Sequence, residues 1–140
     1  MSNGVTTREF VMSDYDEVIA LWEGVEGIEV CEGDSREEIA AFLKRNPGLS
    51  RVAILDDKIV GAALCGHDGR RGWIYHLAVA PTHRRQKIGN VLLESCVNGL
   101  RAIGLKRAII LVAADNPGGH DFWLRNGWED LHAFAMTREL

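Results

Sequence analysis

The feature that most constrains the fold is a change of hydrophobic period between residues 73 and 113. A strand-like stretch, Trp73 to Val79, ends at Pro81, and from about Ile88 the apolar residues Ile88, Val91, Leu92, Cys96, Leu100 and Ile103 recur at helical spacing. Gly104 follows where a left-handed C-cap is expected. Ala108 to Ala113 is then a continuous apolar run, the pattern of a strand buried on both faces. Strand, helix, strand in this order predicts a right-handed parallel crossover.

The segments before it read as an antiparallel half. Val5 to Met12 is a short strand, and Ser13 and Asp14 are caps for a helix carrying Val18, Ile19, Leu21 and Trp22. After an acidic, glycine-punctuated connection, Ser35 and Glu38 form a capping box opening a second helix (Ile39, Ala40, Phe42, Leu43), which Asn46, Pro47 and Gly48 stop. Arg51 to Leu55, the turn Asp56, Asp57, Lys58, and Ile59 to Cys65 make a hairpin, and the turn from Gly66 to Gly69 leads into Trp73 to Val79. Beyond the crossover, Asn116 to Gly119 starts a short helix through Phe122, Trp123 and Leu124 that ends at Asn126 and Gly127, and His132 to Thr137 predicts a last strand. The fold class is α/β with a mixed sheet: antiparallel N-terminal strands, a parallel pair in the middle, antiparallel pairing again at the end, and helices on both faces. At 140 residues the chain predicts a single domain spanning 1–140.

Composition removes several classes. Hydrophobic residues at 46% and charged residues at 26% exclude a disordered or fibrous chain. No apolar stretch approaches the roughly 20 residues of a membrane span, and Met1 to Arg8 lacks an apolar signal core, so a cytoplasmic protein without membrane attachment is expected. Cys31, Cys65 and Cys96 have no C-x-x-C spacing, and His67, His83, His120 and His132 lack ligand spacing, so reduced thiols and no metal are expected.

The net charge of -4 conceals an asymmetry. Residues 1–40 carry eleven acids against two bases, whereas between Arg70 and Arg107 eight bases face only Glu94. An anionic ligand is expected at the basic stretch. Nucleic acid is disfavoured, because the aromatic residues are not interleaved with that stretch and the chain is acidic overall. The basic residues cluster where a strand ends and a helix begins, around Arg84, Arg85, Gln86, Lys87, Ile88, Gly89 and Asn90. A helix start offers unpaired amides and the positive end of the dipole, and with three cations beside it binds a pyrophosphate well. Neither G-x-x-x-x-G-K-[ST] nor G-x-G-x-x-G is present, so neither a P-loop nor a Rossmann nucleotide site is supported.

Leu77-Ala78-Val79-x-Pro-x-x-Arg84-Arg85-x-x-Ile88-Gly89-x-x-Leu92-Leu93 resembles the signature of the GNAT superfamily, the acyl-CoA-dependent N-acetyltransferases. Arg84 and Gly89 match the outer anchors of the family pattern R/Q-x-x-G-x-G/A, while Lys87 stands where its first glycine usually is. The tail, with Asn116 six residues before Phe122 and a closing Gly127-Trp128, is similar to the family's N-x-x-A-x-x-F-Y-x-x-x-G-F. The resemblance implies that the two parallel strands splay apart to admit the pantetheine arm of acetyl-CoA as co-substrate. It further implies that main-chain groups of Leu77, Ala78 and Val79, freed by a bulge, bind the arm. Residues 84–90 would then take the pyrophosphate, with Asn116 and Trp123 beside the cofactor. A side chain at Lys87 is expected to exclude any backbone conformation that only glycine adopts cheaply, its ammonium contacting phosphate instead.

The reaction the resemblance implies is direct transfer of an acetyl or short acyl group to a primary amine in a ternary complex. It needs a proton acceptor, and Tyr75 and His76 are the nearest candidates. Strand alternation places their side chains on opposite faces, so only one faces the acetyl group. A histidine titrating near 6.5 suits the task better than a tyrosine near 10. The other reading of His76 is a hydrogen-bonded core residue, with a water relay to an acidic residue as base. Trp123 stands where relatives often carry a tyrosine acid, and the leaving thiol, with a pKa near 8.5, departs without one. Glu23, Glu26, Glu29, Glu32 and Asp34 cluster in the acidic connection, where the resemblance puts one wall of the acceptor cleft. This predicts a cationic small-molecule or peptide amine as acceptor. A homodimer is compatible with the sequence, and a non-catalytic acyl-CoA-binding module of the same fold is the alternative.

Overall fold

The computed structural model describes residues 4–84 and 86–140. Residues up to Ile110 and residues from Leu111 to Leu140 form two compact units.

The first unit is built on a five-stranded sheet in the order β1-β2-β3-β4-β5, with β1 Thr6–Glu9, β2 Arg51–Leu55, β3 Lys58–His67, β4 Gly72–Val79 and β5 Ala108–Ile110. The first three pairings are antiparallel and β4 with β5 is parallel. This is the mixed α/β sheet that the change of period predicts. Helices α1 (Tyr15–Glu23) and α2 (Arg36–Arg45) lie between β1 and β2 in sequence, and α3 (Ile88–Ala102) makes the crossover from β4 to β5.

Each element follows from local chemistry. At the start of α2, Ser35 Oγ accepts from the Glu38 amide at 3.2 Å and Glu38 Oε1 accepts from the Ser35 amide at 3.3 Å, a reciprocal capping box. The α1 cap works differently from expectation. Asp14 makes no side-chain bond to α1; its carboxylate accepts two bonds from the Arg8 guanidinium at 2.7 and 2.8 Å and one from the Val11 amide at 3.0 Å. Gly104 closes α3 at φ +89°, and the Leu105 amide reaches back to the Leu100 carbonyl at 3.2 Å, as a left-handed C-cap requires.

The sheet is covered on both faces. Along β3 the side chains alternate: Ala62 and Leu64 join Val18 and Trp22 of α1, Ile39 of α2, Phe10 and Ala78 in one core. On the other face α3 presents Ile88, Leu92, Leu93, Cys96 and Leu100, all buried, with Leu92 closing over Gly61. Burying each such Leu or Ile contributes roughly 1.5–3 kcal/mol, so these stripes hold the helices to the sheet.

The second unit contains α4 (Pro117–Arg125), capped by the Asn116 side chain accepting from the Gly119 amide at 3.1 Å. Trp123 packs edge-on against Trp128, centroids 4.8 Å apart, and against Phe122 at 5.4 Å. The strand expected over His132 to Thr137 is not formed: this segment carries no strand among the described residues, and Phe134 and Met136 are 96% and 93% exposed. Alternating side chains supply the pattern of a strand but not its ladder partner. The strand expected over Ala108 to Ala113 is likewise shortened to Ala108–Ile110.

Candidate active site

Ala78 pairs with Ala62 and Tyr75 with Leu64, so His76 and Leu77 together stand opposite the single residue Ala63. This is a β-bulge, and His76 takes up the extra length in the left-handed region at φ +52°. The parallel ladder to β5 covers Gly72 to Ile74 and ends one residue before Tyr75. β4 continues to Val79, paired with β3 on one side only. The Ala80 amide donates to the Val60 carbonyl at 2.8 Å, and with every second residue of an antiparallel strand directed alike, the Val79 amide and carbonyl point away from β3. The main-chain freedom expected from a bulge for Leu77, Ala78 and Val79 does not extend to Ala78, which shares the Ala80 direction and faces β3; Val79 keeps its register with β3 while its amide and carbonyl point away from it.

The bulge also overturns the expectation that Tyr75 and His76 face opposite sides. Tyr75 packs against Phe42 of α2, centroids 6.2 Å apart, and His76 against Trp22 of α1 at 4.9 Å. Both side chains therefore meet the helical layer formed by α1 and α2. An inserted residue resets the alternation, and no local sequence rule announces where that residue falls. Burial, with Asp68 nearby, pushes the Tyr75 phenol above its ordinary range, so it remains protonated at neutral pH.

His76 Nε2 lies 2.9 Å from Asp34 Oδ2. Asp34 is 5% exposed, unlike the exposed Glu23, Glu26, Glu29 and Glu32 of the same acidic connection, so it belongs to the interior rather than to the surface field. Its Oδ2 also accepts from the Cys31 amide at 3.2 Å, and its carbonyl accepts from the Tyr15 hydroxyl at 2.6 Å. The sequence gives no sign of this pair, which joins residues 42 positions apart.

After β4 the chain makes one 3₁₀ turn, Pro81–His83, and Arg84 follows in extended conformation and exposed to solvent. Arg85 lies outside the described residues. Lys87 is the N-cap of α3 at φ +61° and ψ +19°. The expectation that a lysine excludes the conformation glycine would adopt is thus corrected: the left-handed geometry is kept, at a cost of roughly 1–2 kcal/mol. The first turn of α3, from Ile88 through Gly89 and Asn90, follows directly, with Gln86 half-buried before it. Lys87 and Asn90 also line a groove of about 830 Å³ that runs along α3 past Ser95 toward Thr7 of β1 and Arg51 of β2. The described residues hold no cluster of acidic, histidine or cysteine side chains arranged for a metal ion. Cys65 and Cys96 are buried, and the Cys96 thiol is driven far up by its hydrogen bond with Cys65 and by burial, so Cys96 is no ready nucleophile.

A bulged strand with a parallel neighbour along its first three residues, followed by a basic loop and a helix start, is consistent with the arrangement expected from the signature. The family model for the acetyltransferase (GNAT) family matches residues 15–128. An acetyltransferase of Yersinia enterocolitica is 36% identical over 133 residues, covering 95% of this chain and 94% of the relative. Among solved structures, the PaiA N-acetyltransferase of Thermoplasma acidophilum in complex with coenzyme A superposes with a TM-score of 0.81 at 18% identity, covering 94% of this chain and 93% of that one. An aminoglycoside acetyltransferase from a soil metagenome, in complex with sisomicin, gives 0.71 at 20% identity over 98% of both chains. The chain belongs to the acetyltransferase (GNAT) family and has its fold.

Proposed function

We propose that this acetyltransferase moves an acetyl or short acyl group from acetyl-CoA to a primary amine by direct transfer in a ternary complex, residues 1–140 acting as one N-acetyltransferase domain. The observation that carries the reading is the end of the β4 to β5 ladder at Ile74, immediately before the bulge and a short distance in sequence from the basic start of α3. An open strand edge offers amide and carbonyl partners to the amide groups of a pantetheine arm. Arg84, Lys87 and the first amides of α3 offer charge and donors to a pyrophosphate. The coenzyme A complex of the structurally similar PaiA enzyme supports the choice of donor.

In the reaction the amine nitrogen attacks the thioester carbonyl. The C–N bond forms, the C–S bond breaks, the amine proton passes to a base, and the thiolate leaves and takes its proton from water. Main-chain amides of Leu77 and Val79 serve the developing oxyanion. His76 is the proton acceptor, directly or through one water, and Tyr75, held protonated, orients the acceptor rather than deprotonating it. Trp123 packs within its own aromatic cluster and donates no proton to the leaving thiolate, which leaves unaided. The three free thiols fit a reducing, cytoplasmic setting.

The acceptor we propose is cationic. Four exposed glutamates, Glu23 at the end of α1 and Glu26, Glu29 and Glu32 after it, precede Asp34, and that connection reaches His76 through Asp34. Such a field raises the local concentration of a polyamine, a lysine-like amine or a basic peptide N-terminus. Because the field is screened over roughly 8 to 10 Å at physiological salt, acceptor KM is expected to rise with ionic strength more than acetyl-CoA affinity falls. Preference for neutral amines with KM indifferent to salt would dismiss the cationic acceptor.

A further inference from the structure

Two buried or half-buried groups held rigidly against each other, one of them on strained backbone, mark a place where geometry is imposed rather than incidental. His76 is such a group. Its left-handed backbone lies in the bulge between Tyr75 and Ala78, both paired with β3, and its ring is wedged edge-on against Trp22. Asp34 is fixed as firmly. Its backbone carbonyl is bonded to Tyr15, its carboxylate to the Cys31 amide, and the next residue, Ser35, is locked in the capping box of α2.

We propose that Asp34 is a positioning residue that fixes His76 in one tautomer, Nε2–H donated to Asp34 and Nδ1 left as the proton-accepting nitrogen. The inference rests on the reading of His76 as base. An ionised carboxylate only accepts hydrogen bonds, so the proton between Asp34 Oδ2 and His76 Nε2 belongs to the histidine. The lone pair available for an incoming proton is then on Nδ1. When His76 takes that proton, the imidazolium remains bonded to Asp34, which stabilises the charged form as transfer proceeds. The same link joins the acidic connection to the bulge, so that the segment proposed to attract the acceptor also sets the proton acceptor.

Among the described residues, titratable groups reach His76 and its partner Asp34 from several elements, and the Glu38 carboxylate of α2 flanks Asp34 through the Gly33 and Ser35 amides. The connection contributes Asp34 with the Cys31 thiol beside it, α1 contributes the Tyr15 hydroxyl bonded to Asp34, and β4 itself contributes Tyr75. Opposite the bulge, β3 presents Ala62, Ala63 and Leu64, and α1 presents Trp22, none of which titrates in the working range.

The test combines kinetics with spectroscopy. Asp34→Asn is expected to lower kcat by roughly tenfold to a hundredfold with acetyl-CoA KM little changed. Asp34→Glu is expected to restore part of the rate. Nitrogen-15 NMR of the imidazole in the unaltered protein is expected to show Nε2 protonated and Nδ1 bare at neutral pH, and this readout survives even if Asp34→Asn fails to fold. A Nδ1–H tautomer, or an Asp34→Asn variant with unaltered kcat while His76→Ala is inactive, would overturn the positioning role and leave the base assignment standing. Full activity in His76→Ala would instead remove the base assignment itself.

Discussion

Ile74 pairs with Ile110, and that pair is the last rung between the two parallel strands. Five residues of β4 run on past it, to Val79, with an edge turned away from β3. If this edge receives the pantetheine arm, its amides change partner when acetyl-CoA binds. In amide exchange or chemical-shift mapping, Val79 is expected to respond to acetyl-CoA, whereas Ala78, bonded to β3, is protected before and after. An unperturbed Val79 in the presence of saturating acetyl-CoA would place the arm elsewhere.

Arg84 and Arg70 carry the same charge within the same basic stretch but sit in different surroundings. Arg70 lies in the turn after β3, its amide bonded to Asp68 at 2.8 Å, and Arg84 follows the 3₁₀ turn that leads to α3. Arg84→Glu is expected to weaken acetyl-CoA binding by about tenfold or more, the scale of a charge-assisted bond to phosphate, and Arg70→Glu by about threefold or less through the screened field alone. Calorimetry giving equal losses would break the assignment of Arg84 to the pyrophosphate.

At Lys87 backbone strain and side-chain charge are separable. Glycine adopts its left-handed conformation freely and alanine does not, so Lys87→Gly is expected to be about 1 kcal/mol more stable than Lys87→Ala. Both variants lack the ammonium, and both are expected to lose a similar severalfold of acetyl-CoA affinity. Affinity kept by the glycine variant alone would mean that the backbone, not the ammonium, holds the phosphate.

The Arg8 and Asp14 pair gives a pH signature for stability. The guanidinium bonds, followed by the Val11 amide, hold the Asp14 carboxyl below its ordinary range despite its burial. A depressed carboxyl contributes stability that is complete above its unfolded value, near 3.9, and is lost as pH falls through the folded value. Asp14→Asn is therefore expected to cost about 1–3 kcal/mol at neutral pH, and the gap to the parent protein should narrow as pH drops below about 4. Denaturant melts showing a constant gap from neutral pH to pH 3 would contradict this.

What was legible in the sequence and what was not divide along one line. Patterns carried by side chains over many residues translated well: the capping box at Ser35, the stripe of α3, Gly104 at its end and the hairpin of β2 and β3 all form as read. Features that depend on a distant partner did not. His132 to Thr137 has the alternation of a strand without a ladder to join, and β5 ends at Ile110. The bulge at His76 turns Tyr75 and His76 toward the same helical layer, which a strict two-residue period forbids. Asp34 looked like one more residue of an acidic surface run, and only the fold turns it inward to His76. The basic loop was visible as charge, but the left-handed Lys87 was not, because nothing in a lysine announces that conformation.

The most direct test of the whole account is turnover of acetyl-CoA with a panel of amines, following free thiol and acylated product together. The account predicts thiol release matched one for one by N-acetylated amine, fastest with cationic acceptors and absent without an amine. Tight acetyl-CoA binding with no acylated product from any amine would contradict it and mark the protein as an acyl-CoA-binding module.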